Sequence, residues 1–125
     1  MRKLLLFCLL VVSISAFGQS LKKKYYGSYA GTIPAYTIDL GTGVVPVQET
    51  AITIRLMEGR FVQTIGTTVQ EGSWAVSGGD SDVLALVFSP DNSLVRERIT
   101  FYRKQKRLVR EGIYPQPRAE LLKQK

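Results

Sequence analysis

Thr50 to Ile65 reads TAITIRLMEGRFVQTI, and this stretch decides the fold class. Ile52, Ile54 and Leu56 alternate with Ala51, Thr53 and Arg55, a period of two that marks a strand with one buried face. Glu58-Gly59 makes a two-residue turn, and Arg60 to Ile65 is again rich in β-formers, so the stretch predicts a β-hairpin.

The same pattern extends in both directions. Thr67 to Val76 alternates, with Gly72, Trp74 and Val76 on one face. Gly78 to Asp82 is a turn cluster, and its Asp80-Ser81-Asp82 reads as a turn with solvated acids, since a calcium loop needs more ligands. Val83 to Phe88 (VLALVF) is a short apolar run that reads as a central strand. Leu94 to Arg103 places Val95, Ile99 and Phe101 toward the core and Arg96 and Arg98 outward. Glu97 has the core-facing parity, an awkward position for a charge that a bulge would relieve. Arg107 to Tyr114 is the last strong strand, and Ala119 to Lys123 is a closing strand or a frayed end. Before the hairpin, Tyr25 to Thr32 (YYGSYAGT) is a strand ended by Pro34, and Tyr36 to Val47 is an irregular loop with short extended pieces. No long segment has a 3.6-residue period. The reading is an all-β, antiparallel meander of seven to eight strands closing into a small lipocalin-like barrel, with a sandwich as the alternative.

The first eighteen residues predict export. Met1-Arg2-Lys3 is a positive start, Leu4 to Val12 is apolar, and Ala16-Phe17-Gly18 is a cleavage site before Gln19. The apolar run is too short to span a bilayer, so no transmembrane segment is expected after cleavage. Cys8 lies too early for a lipoprotein site, so a periplasmic or extracellular protein without a lipid anchor is expected. Residues 19–24 read as a basic spacer and residues 25–125 as one barrel domain.

Composition narrows the chemistry. The chain has no histidine, and its one cysteine, Cys8, leaves with the signal. General acid–base work near neutral pH, thiol chemistry and a tight copper or zinc site lose their usual residues, so the expectation is a non-enzyme without cofactor. Nucleic acid is not an expected partner of an exported chain lacking any such motif. Charge is unevenly placed. Tyr25 to Asn92 carries two basic and seven acidic residues, whereas the chain from Ser93 carries ten basic and three acidic ones. Arg96, Arg98 and Arg110 are therefore the candidate face for an anionic partner. Tyr29, Tyr36 and Trp74 are the candidate ligand pocket or barrel mouth, although Trp74, in phase with Val76, also reads as a core anchor.

Tyr26 to Ala35 (YGSYAGTIPA) resembles the opening of the NlpE-type copper-homeostasis lipoprotein N-terminal domain, Gly-x-Tyr-x-Gly-x-Leu-Pro-Cys. Glu49 to Ile65, Glu71-Gly72-Ser73-Trp74, Val83 to Phe88 and Tyr102 to Val109 are similar to that family's later strands. The resemblance implies a barrel and an envelope location. Ala35, Tyr36, Thr37 and Ile38 stand where the family has its Cys-x-x-Cys, so copper binding is not implied. The expected function is a lipocalin-like envelope protein that binds a small apolar ligand or an envelope protein. The alternative is a structural or inhibitory module that docks through its basic C-terminal face.

Overall fold

A computed structural model describes residues 21–112 and 115–125. The expected signal peptide and its cleavage site lie outside these residues, as do Ile113 and Tyr114 at the expected end of the last strong strand.

The hairpin read from Thr50 to Ile65 forms as strands β4 (Thr50–Met57) and β5 (Arg60–Ile65). They belong to a closed barrel of eight strands. Strand β1 (Gly27–Ile33) pairs with β4 on one side and with β10 (Ala119–Lys123) on the other. Between β5 and β10 run β6 (Thr68–Gly79), β7 (Val83–Pro90), β8 (Glu97–Tyr102) and β9 (Arg107–Arg110). Every neighbouring pair is antiparallel, and the order around the barrel is β1-β10-β9-β8-β7-β6-β5-β4. The stretch expected as an irregular loop holds a separate two-stranded ribbon, β2 (Tyr36–Asp39) with β3 (Val44–Val47). Ala119 to Lys123 is the closing strand, so neither end of the sheet is left unpaired.

Alternation fills the interior. Ile52, Ile54 and Leu56 of β4, Phe61 of β5, Leu86 and Phe88 of β7, Ile99 and Phe101 of β8, Leu108 of β9 and Leu121 of β10 are all essentially inaccessible. Each such side chain contributes roughly 1.5–3 kcal/mol relative to exposure. Phe61 stacks on Phe88 with ring centroids 4.3 Å apart. The barrel is narrow because glycine lets backbones approach. Gly72 pairs with both Phe61 and Pro90, where a Cβ would meet the Ser89 carbonyl and come within 2.7 Å of the Phe61 ring. Strand β6 serves β5 with its first half and β7 with its second, and a bulge between Val76 and Gly78 eases that long strand around the barrel.

Two expectations change. Val95 is exposed, because β8 starts only at Glu97 and residues 91–96 form a loop. The spacer is also more than a solvated link. Leu21 and Tyr25 are buried against the core, while Lys22, Lys23 and Lys24 of the same turn stay exposed.

Candidate functional site

In an antiparallel meander successive turns fall at opposite ends, so the two ends of this barrel can be built separately. The first end carries the β4–β5, β6–β7 and β8–β9 turns and is plugged with apolar and aromatic groups. The Tyr25 ring meets Phe101 edge to face at 5.2 Å, and the Tyr29 hydroxyl donates to the Tyr25 carbonyl at 2.6 Å. Burial pushes the Tyr29 hydroxyl well above its ordinary value, so it stays a donor. Trp74 lies inside, and its Nε1–H is shared between the carbonyls of Met57 and Arg60, each at 2.8 Å, which ties the β4–β5 turn to the core. Tyr26 covers Trp74 at 6.1 Å.

The second end carries the β5–β6 turn, the β7–β8 loop, the β9–β10 connection and the ribbon. Here the inward positions turn polar. Gln63 is buried opposite Gln70, and its Nε2 donates to the Gln70 Oε1 at 3.4 Å. The Gln63 Oε1 has no hydrogen-bond partner among the described residues. A cavity of about 240 Å³ opens beside it, lined by Gln63, Ile65, Thr68, Val69, Gln70 and Asn92. Across the barrel, Arg110 stands opposite Ile99 and pairs with Glu97, two residues along the inner face of β8. Arg110 also donates to the Gln116 side chain. The Glu97 and Arg110 side chains are only 14% and 6% exposed, so this is a buried ion pair. Burial pushes the Glu97 carboxyl above its ordinary range, with the Arg110 guanidinium pulling the other way.

The rim of this second end is apolar. Leu40, Val44 and Val45 on the ribbon, Val69 on β6 and Leu94 and Val95 on the β7–β8 loop are all exposed, and among the described residues the remaining exposed large apolar side chain is Leu122 on β10. The ribbon is joined to the barrel by Tyr36, which packs half-buried on the core. Leu40 N–H donates to the Gly43 carbonyl at 2.9 Å, so the bonded pairs of the ladder alternate from there. By that alternation the Pro46 nitrogen faces the outer edge of β3 and blunts it, whereas Thr37 and Asp39 turn their backbone groups to the outer edge of β2.

The candidates read from the sequence are dispersed by this geometry. Tyr29 is a wholly buried core residue, Trp74 a buried anchor, and Tyr36 the half-buried first residue of the ribbon, and none of the three lines the cavity beside Gln63. The basic face does not assemble either. Arg98 points outward, Arg96 lies in the exposed β7–β8 loop, and Arg110 points inward to Glu97. The error was one of register: Tyr102 pairs with Arg107, so Leu108 is inward and Arg110, two residues on, must be inward too. That alternation from Leu108 was the signal for the Glu97–Arg110 pair, and it also explains the parity of Glu97. Gln63 and Gln70 were legible as inward positions, being in phase with Phe61 and Gly72.

Chemically, the second end offers one buried carboxylate already held by a guanidinium, and carboxamides around a small cavity. Among the described residues no group of three or more His, Cys, Asp or Glu is placed to hold a metal, and no helix is long and apolar enough to cross a membrane. No known protein family, curated protein or solved structure matches the chain.

Proposed function

We propose that this chain is an exported, non-enzymatic barrel of the cell envelope that docks on another envelope protein through its ribbon-bearing end. One observation carries the reading: among the described residues, all but one of the exposed large apolar side chains stand on the ribbon, on β6 beside the β5–β6 turn or on the β7–β8 loop, all at that end, while the interior is filled by its own side chains. Apolar groups concentrated at one end of an otherwise polar surface mark an interaction site. The unpaired outer edge of β2 adds a backbone template to which an extended partner segment adds as a strand. A small apolar ligand is the weaker reading. The cavity beside Gln63 is below the usual ligand-pocket range of roughly 300–1,000 Å³, and four of its six lining residues, Gln63, Thr68, Gln70 and Asn92, are polar. Export rests on the pattern of residues 1–18, and an NlpE-like envelope role rests on Tyr26 to Ala35 and the later strands.

The test is site-specific photo-crosslinking in the native host, with the probe at Val45 on the ribbon or at Ala75 on the outer face of β6. A discrete crosslinked envelope protein from Val45 and none from Ala75 is the expected result. Equal yields at both positions, or none from Val45, overturn the reading.

A further inference from the structure

The plugged end of the barrel has a second character, which is charge. Three segments far apart in sequence meet there. The first is the turn with Lys22, Lys23 and Lys24, all exposed. The second is the β8–β9 turn with Arg103, Lys104 and Lys106. The third is the end of β10 with Lys123 and Lys125. Their meeting is fixed by specific contacts. The Lys24 ammonium lies 5.1 Å, and the Arg103 guanidinium 5.9 Å, from the Tyr25 ring centroid, so one aromatic face gathers the first two segments. Lys123 N–H donates to the Lys106 carbonyl at 3.0 Å, and Gln124 N–H to the Ser28 carbonyl at 2.7 Å, which joins the third. Lys106 holds a left-handed backbone, φ 49°, to make the turn. A surface depression of about 350 Å³ lies between Lys106, Lys123 and Lys125, with Gln105, Gln124 and Leu122 completing its wall. Among the described residues, the carboxylates set against these cations are those of the β6–β7 turn: Asp82, 3.5 Å from the Lys104 ammonium, and Asp80, whose carboxyl is held down mainly by the backbone N–H groups of Val83 and Asp82. With Glu58 of the β4–β5 turn, the described turns of this end carry three acids against eight cations.

We propose that this end is a docking face for an anionic lipid bilayer, which it meets through phosphate head groups. Seven of the eight cations are lysines, flexible and strongly hydrated point charges. They suit a mobile field of phosphates rather than the bidentate geometry that a fixed carboxylate partner rewards with arginine. Leu122, exposed at the edge of the depression, supplies an apolar contact at the head-group level. The proposal concerns the end opposite the ribbon and stands independently of the partner reading above.

The test uses the chain from Gln19 onward, which holds every barrel strand, and vesicle co-sedimentation. Vesicles of pure phosphatidylcholine are compared with vesicles containing about a quarter phosphatidylglycerol. Binding is expected only to the anionic vesicles, and it falls steeply as salt rises, because exposed charges are screened beyond about 8–10 Å at physiological ionic strength. The triple variant Lys106→Ser, Lys123→Ser, Lys125→Ser weakens binding by roughly a hundredfold. The matching triple change to Arg keeps it, and Arg98→Ser on the outer wall leaves it unchanged. Circular dichroism of each variant confirms the fold. Equal binding to both vesicle types, binding indifferent to salt, loss of binding in the Arg triple variant, or full competition by dilute inorganic phosphate each overturns the proposal. The last two outcomes reassign the cluster to a shaped site for a small soluble anion.

Discussion

The two ends of this barrel are made from the same strands and obey the same alternation, yet they solve opposite problems. At the plugged end the inward positions stay aromatic, and the one indole N–H finds two carbonyls. At the ribbon end the inward positions become Gln63, Gln70, Glu97 and Arg110, and the apolar groups sit outside on the rim instead. The difference teaches that one small barrel can separate apolar packing from buried polar pairing along its axis. One end is closed by packing; the other keeps polar groups inside and presents apolar ones to the surroundings.

The sharpest way to break the contrast is at the plugged end. Trp74→Ala is expected to destabilise by the upper part of about 3–5 kcal/mol, since it removes a core side chain and the tether on the β4–β5 turn together. Urea unfolding followed by circular dichroism measures it, and a midpoint close to that of the unchanged protein would mean that this end is not what holds the barrel together.

At the ribbon end, Arg110→Met is expected to cost about 3 kcal/mol near neutral pH, because it leaves the Glu97 carboxylate buried without its partner. The sign with pH follows from the Glu97 carboxyl lying above its ordinary range. The folded protein then binds this proton more tightly than the unfolded chain. The group's stabilising contribution is full below the ordinary Glu value and is lost as pH rises through the folded one. Removing Arg110 takes away the opposing pull and widens that window, so the deficit of Arg110→Met shrinks on acidification from about pH 7 to about pH 5. Urea midpoints at the two pH values check this, and a deficit that grows with acid would contradict it.

Midway between the ends, Gly72→Val is expected to destabilise by about 1–3 kcal/mol through overpacking against Phe61 and the Ser89 carbonyl. The smallest effect is expected on the rim. Leu94→Ser should change stability by no more than about 0.5 kcal/mol, since Leu94 is wholly exposed. A larger loss on thermal unfolding would show the rim to be part of the packed structure and weaken its assignment as a docking surface.

The barrel was readable because alternation from Ile52 to Leu56 and from Gly72 to Val76 leaves each strand only one way to face. The ribbon was not, because Gly41, Gly43 and Pro46 carry turn signals that outweigh four-residue strands. The basic cluster of the plugged end was only partly visible, for a different reason. Counting cations along β8 and β9 followed the chain, whereas the cluster at Lys24, Arg103 and Lys123 is made by strand closure, which brings residues from both termini to one turn. Local parity identifies inward and outward positions; it carries no information about which distant segments become neighbours.

Barrel closure also has a kinetic side. The seam joins Tyr29 to Lys123 and Gly31 to Leu121, the first and last strands of the barrel, so it cannot form until residues 119–123 are present. Every other strand pairing of the barrel except that of β1 with β4 is between strands consecutive in sequence. The meander can therefore assemble hairpin by hairpin, leaving one long-range step whose entropic cost grows with the logarithm of the loop it closes. A chain emerging in order would hold an open, curled sheet until residues 119–123 arrive, and truncating those few residues should leave two bare edges and a strand-swapped oligomer rather than a slightly weaker barrel.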